Sequence, residues 1–156
     1  MFRKMRRFKQ ELSQEECIEV LVNAPRGVLA VHGENGYPYA IPMNHFYIEG
    51  KLYFHSAKEG HKLDAIALDD KVSFCVMDEG FRKDGEWALN IRSVVIFGKL
   101  RKLESNQESM EILRKLGQKH YPTPESVEKI MKSDGGHVQM LELCVDHMSG
   151  KLVNES

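Results

Sequence analysis

A chain of 156 residues is long enough for one domain, spanning 1–156, with a real core, and too short for two independent ones. Hydrophobic residues at 42% and charged residues at 29% argue against a disordered, fibrous or membrane-embedded chain, and a formal net charge of -1 gives no overall attraction to nucleic acid or acidic lipid. Such binding needs a local patch, and the N-terminus offers one: Arg3, Lys4, Arg6, Arg7 and Lys9 among Phe2, Met5 and Phe8. A solvated strap leading into the first helix is the commoner use of such a pattern than a phosphate grip. With no apolar stretch of signal-peptide or membrane-span length, a cytoplasmic location is expected. Cys17, Cys75 and Cys144 are odd in number and never in Cys-x-x-Cys spacing, so three buried, reduced thiols are expected.

Ser13-Gln14-Glu15-Glu16 has the form of a capping box, and Ile18, Leu21 and Val22 follow at helical spacing, which predicts a first helix ending near Asn23. Pro25-Arg26-Gly27 breaks it. Val28 to Val31 then reads as a strand, Gly33 to Gly36 as a hairpin turn, and Tyr37 to Ile48 as the return strand. Pro38 and Pro42 cannot donate to a ladder, so that return strand belongs at an edge or is bulged, with backbone groups left for a ligand. Lys51 to Ser56 is the next strand, and Gly60 to Leu68 a short helix with Leu63, Ile66 and Ala67 on one face. Val72 to Met77 and Ile91 to Leu103 are further strands, separated by the polar loop Asp78 to Glu86. Ser105-Asn106-Gln107-Glu108 is a second capping box, for a helix through Ile112, Leu113 and Leu116 that stops at Gly117. Thr123-Pro124 opens another helix with Val127, Ile130 and Met131 on one side, ended by Gly135-Gly136. Val138 to Val145 closes the chain as a sixth strand, with the tail after His147 ordered or loose. The expected class is α+β, mainly β: an antiparallel barrel with peripheral helices.

Ligand-capable residues crowd between Pro42 and Lys62. Ser56 ends a strand, Gly60 permits close backbone approach, and His61 and Lys62 fall in the first turn of a helix, where free N–H groups and the helix dipole attract an anion. The same spacing describes an ordinary strand-to-helix loop with two exposed basic side chains, and no glycine-rich nucleotide motif separates the two readings. His45, His55 and His61 have no Glu or Cys at a recognised ligand spacing, so no metal is expected. Ser56 lacks the Gly-x-Ser-x-Gly elbow of a hydrolase nucleophile.

Taken together, the capped helix before Pro25-Arg26-Gly27, the strand Ala40 to Phe46, the run Leu52 to Ala57 with Gly60-His61-Lys62, and Ser93 to Gly98 resemble the pyridoxamine 5′-phosphate oxidase-like flavoproteins. Within them, the resemblance is to the branch related to nitroimidazole-resistance proteins, and it covers nearly the whole chain. It implies a six-stranded split β-barrel forming a homodimer with FMN at the interface. Met43, Asn44 and His45 would lie along the isoalloxazine ring, and His55, Ser56 and Ala57 along the ribityl chain and phosphate. Lys62, helped by His61, would neutralise the phosphate, and Ser93 and Val94 would complete the site. Trp87 would cover the flavin from the partner, although a core or surface tryptophan is the commoner case. The chain lacks the Arg-x-Val-Leu-Leu-Lys phosphate motif of true pyridoxamine phosphate oxidases, and Arg92 to Ile96 is a partial echo of it. That departure argues against vitamin B6 oxidation. The expected activity is reduction of small acceptors such as nitroaromatic compounds at the expense of NAD(P)H, with His55 as proton donor near neutral pH. The alternative is a non-enzymatic flavin- or haem-binding stress or storage module.

Overall fold

Ser13 Oγ accepts from the Glu16 N–H at 3.1 Å while the Ser13 N–H donates to Glu16 Oε1 at 3.1 Å, so the predicted capping box forms. In the computed structural model, which describes residues 1–134 and 137–155, this opens helix α1 over Gln14–Asn23. The face it buries is Cys17, Val20 and Leu21. Ile18 is half-buried and Val22 exposed, so the expected apolar stripe is rotated by about one position.

The strands are β1 (Arg26–His32), β2 (Pro38–Asn44), β3 (Phe46–Ile48), β4 (Lys51–Ala57), β5 (Lys71–Met77), β6 (Leu89–Lys102) and β7 (Val138–Glu155). They form one antiparallel sheet in the order β2-β1-β5-β6-β7-β4-β3. The class is α+β and mainly β as expected, with seven strands in place of six. The extra strand arises because the return run breaks at His45 into β2 and β3, which sit at opposite edges of the sheet. Two edges joined through a single residue force the sheet to curl on itself, and this makes the barrel. The main core fills its interior, with Leu29, Phe54, Phe74, Ile96, Leu141 and Leu143 all fully buried. The closing strand extends ten residues past Val145, to Glu155, so the tail is paired with β6.

Helix α2 spans His61–Leu68 and buries Leu63, Ala65 and Ile66, while Ala67 faces solvent. Helices α3 (Gln107–His120) and α4 (Pro124–Asp134) cover a second core with Tyr53, Leu113 and Met140 buried. The cap of α3 is Asn106, whose side chain accepts from the Ser109 N–H at 2.9 Å, one residue later than the Ser105 box predicted. The helix also runs three residues past Gly117. A Cβ there would stand 3.3 Å from Val127 Cγ1 and 3.4 Å from Tyr121 Cδ2, so Gly117 serves close packing against α4 and not termination. The predicted stop of α4 at Gly135-Gly136 lies outside the described residues. Of the thiols, Cys17 is buried, Cys144 half-buried and Cys75 exposed; all are unpaired, and the expectation of three buried thiols fails at the latter two. Among the described residues no helix is long and apolar enough to cross a membrane.

Candidate functional site

The barrel is open along β2, which pairs only with β1 and does so through seven unbroken partners from Arg26↔Asn44 to His32↔Pro38. A ladder of that length tolerates Pro38 and Pro42 only where their missing N–H groups face away from β1. Backbone direction alternates along a strand, so Pro38, Ala40, Pro42 and Asn44 turn their polar groups toward the open edge. Beyond that edge lies β4. It packs against β2, and its ladder with β3 ends at Phe46↔Tyr53. The chain then runs through Ser56 and Ala57 to Gly60 and α2, where His61 stacks on Tyr39 with ring centroids 4.1 Å apart. The space between β2 and β4, with Asn44 toward one end and Tyr39 and His61 toward the other, is the candidate groove.

Both ends are basic. At the α2 end, Gly60 caps the helix at φ 145°, a backbone setting that favours glycine, with nothing within 4 Å of where a Cβ would stand. The Leu63 and Asp64 N–H groups bond to the Gly60 carbonyl, and those of His61 and Lys62 are the first-turn donors left over. The His61 side chain is exposed and that of Lys62 half-buried. At the other end, Lys119 Nζ and His120 Nε2 donate to one oxygen, the His45 carbonyl, at 3.1 and 3.0 Å. Arg26 Nε donates to Asn44 Oδ1 at 3.2 Å beside them. Burial pulls the Lys119 pKa down to about 8. Burial also lowers His120, opposed by its bond to the His45 carbonyl and reinforced by the neighbouring basic groups Lys119, Arg26 and His55.

The residues expected to act together are distributed over several faces. Asn44 is half-buried at the groove, Ala57 is exposed, and Ser56 is 7% exposed with its hydroxyl donated to the Ala57 carbonyl at 2.8 Å. His55 is half-buried on the α3–α4 side of β4 and borders a small cavity of about 60 Å³ with Leu113, Tyr121 and Val138. Met43 and Val94 point into the main core. His45 does so completely: it is 0% exposed, its Nε2–H donates to the Leu21 carbonyl at 2.7 Å, and its ring meets Phe74 edge-on. Its imidazole therefore stands in the core and not at a ring-binding surface. Ser93 is half-buried on β6, between Met77 and Lys151. Trp87 is 75% exposed. Arg92 is engaged by Asp78 at 2.9 Å and Glu19 at 3.6 Å, so its guanidinium is held by two carboxylates. Lys119 and His120 were missed by sequence reasoning, because ending α3 at Gly117 left them in a loop. The available signal was a pair of cations in a last helical turn. Among the described residues no three His, Cys, Asp or Glu side chains converge as a metal site.

The outward face of the sheet carries an apolar band two rows deep. Pro42, Val28, Cys75, Val95 and Ser149 form one row across it, and Ala40, Ala30, Ser73, Phe97 and His147 the next. Val28 is 43% and Phe97 41% exposed. Phe2 from the N-terminal strap stacks on His147 at 4.8 Å and on Phe97 at 5.6 Å, beside a cavity of about 440 Å³.

Several solved structures share this fold. A candidate 5-nitroimidazole antibiotic resistance protein from Bacteroides thetaiotaomicron VPI-5482 superposes with a TM-score of 0.73 at 20% identity, over 92% of this chain and 87% of that one. An FAD-binding protein from Mesorhizobium loti gives 0.67 at 23% identity, over 92% and 97%. An FAD and heme binding protein from Mycobacterium smegmatis gives 0.69 at 20% identity, over 95% and 74%. A comparison with curated proteins returned no match. In sequence, residues 13–152 match the model of the pyridoxamine 5′-phosphate oxidase family, a span that takes in the capped helix, the open β2 edge, both basic ends and the closing strand, and the chain belongs to that family.

Proposed function

We propose that this protein binds FMN in the groove between β2 and β4, at the interface of a homodimer, and works as an oxidoreductase on small acceptors. The observation that carries the reading is the open edge of β2 between two basic ends. From Tyr39 to Asn44 the strand advances roughly 17 Å at about 3.3 Å per residue, a span suited to a long ligand with a phosphate at one end and a polar-edged ring at the other. The first-turn N–H groups of α2 with Lys62 and His61 suit the phosphate. The backbone groups of Ala40, Pro42 and Asn44 suit the ring edge. FAD-binding and nitroimidazole-resistance relatives of the same fold support a flavin and a nitroaromatic acceptor. The apolar outward face supports a second copy of the chain as the remaining wall.

A bound flavin supplies hydride and electron transfer, with NADH or NADPH as the donor. The chain's own residues orient the ring, neutralise the phosphate and exclude water. His55, on β4, is the proton donor in this reading. The test is the colour of the purified protein. A flavin spectrum, with FMN identified by mass after release, is expected; a Soret band would favour the haem-binding alternative, and colourless protein that takes up no added FMN would overturn the reading. Oxidation of reduced nicotinamide with a nitroaromatic acceptor then tests the reductase half, which is lost if no donor gives turnover. A His55→Ala variant should lose most of its turnover with FMN still bound, and full turnover would remove His55 from the chemistry.

A further inference from the structure

The groove has one basic end more than a flavin phosphate needs. At the Asn44 end, Lys119, His120 and Arg26 come together from α3 and β1, and among the described residues none of the three is ion-paired with a carboxylate. One carbonyl oxygen, that of His45, receives both Lys119 and His120. The carbonyl can accept both, one on each lone pair, and this brings the two side chains to one point beside the β2–β3 break. The Lys119 ammonium keeps two further N–H donors and the Arg26 guanidinium its two terminal NH2 groups. Lys119 and His120 are half-buried and Arg26 is exposed, so none of the three is sealed in the core. Burial lowers the proton affinity of Lys119 and of His120, and no carboxylate among the described residues offsets it. Complementing the C-terminus of α3 and pinning the β2–β3 break needs only one of the pair and does not call for Arg26.

We infer that Arg26, Lys119 and His120 form a subsite for the acidic group of the substrate, so that the protein prefers small carboxylate-bearing acceptors to neutral ones. The inference rests on the proposed flavin orientation for its placement beside the ring end of the groove. It does not rest on that reading for the binding of an anion. The distance of roughly 17 Å along β2 separates this cluster from the His61 and Lys62 end, and a flavin phosphate seated there leaves the Asn44 end to the substrate.

Benzoate and benzyl alcohol serve as charged and neutral probes, titrated calorimetrically into the purified protein with its native cofactor content. Benzoate is expected to bind at least tenfold more tightly than benzyl alcohol. Lys119→Met should weaken benzoate by about tenfold or more and leave benzyl alcohol unchanged. Lys119→Gln, which keeps a donor for the His45 carbonyl, should show the same loss with an unaltered melting temperature, and it stands in if Lys119→Met fails to fold. Equal affinity for the two probes, or benzoate binding indifferent to Lys119→Gln and His120→Gln, would overturn the subsite. So would a Lys119→Gln variant that loses FMN affinity but keeps riboflavin affinity, since the cluster would then belong to the flavin phosphate. Lys119-dependent benzoate binding by a protein that takes up no flavin would sink the flavin reading alone and leave the subsite standing.

Discussion

His45 is held in the core as a neutral ring, and that makes it a point where pH acts on the fold. Burial is the main cause of its pKa falling to about 4; Lys119 and His120 nearby add to the fall, and the bond to the Leu21 carbonyl opposes it. The tautomer follows from the partner: a carbonyl only accepts, so Nε2 carries the proton and Nδ1 is left as an unpaired buried acceptor. The unfolded chain binds a proton below about pH 6.5 and the folded chain only below about 4, so stability is full above the higher value and falls as pH drops between them. The difference of about 2.5 units corresponds to roughly 3 kcal/mol. Urea unfolding from pH 8 to 4 should show this loss in the wild type, and His45→Leu should flatten it. The same variant should be less stable at pH 8 by about 1–3 kcal/mol, since the Leu21 carbonyl is left unpaired in the core. An unchanged acid slope in His45→Leu would remove His45 as its source. Sequence alone could place His45 among ligand-capable residues but not on a face, because its inward turn depends on where α1 presents a carbonyl.

Element by element, the sequence was most legible where a single local rule decided the outcome. The Ser13 cap, the turn at Gly33 to Gly36 and the edge status of a strand holding Pro38 and Pro42 all follow from one residue's chemistry. Legibility failed where a distant neighbour set the conformation. Gly117 reads as a helix stop and is a packing residue because Val127 and Tyr121 come close. Gly98 is a sharper case, a glycine inside a strand at the register shift between Phe97 and Gly98. A Cβ there would stand 2.2 Å from the Cys144 carbonyl oxygen and 2.7 Å from Leu143 Cδ2. The first of these is backbone in the longest ladder of the sheet and cannot move aside without breaking it. Gly98→Ala should therefore cost about 3 kcal/mol or more in denaturant unfolding, while Lys99→Ala, at the exposed neighbouring position, should stay within about 0.5 kcal/mol. Equal stability of the two variants would show that the bulge is not held in place by this approach.

Across the whole molecule, the sheet behaves as though it has two insides. An antiparallel sheet with one wet face alternates apolar and polar residues, yet Val28-Leu29-Ala30-Val31 and Val94-Val95-Ile96-Phe97 read as continuous apolar runs. Leu29, Val31, Val94 and Ile96 account for the barrel core, which leaves Val28, Ala30, Val95 and Phe97 to face outward. Through the register these four join Pro42, Ala40, Cys75, Ser73, Ser149 and His147 in two adjacent rows that hold no Asp, Glu, Lys or Arg. A patch of this kind beside the candidate groove is what the proposed homodimer covers. Val28→Glu tests it with little cost to the monomer, because the side chain is 43% exposed in the single chain and a glutamate there stays hydrated. Within a dimer the same carboxylate is buried without a partner, which costs several kcal/mol and should weaken association by about a hundredfold or more. Sedimentation should give twice the chain mass for the wild type and the single-chain mass for Val28→Glu, with FMN affinity lost along with the partner wall. A wild type that sediments at single-chain mass would instead require the groove between β2 and β4 to hold its ligand from one side.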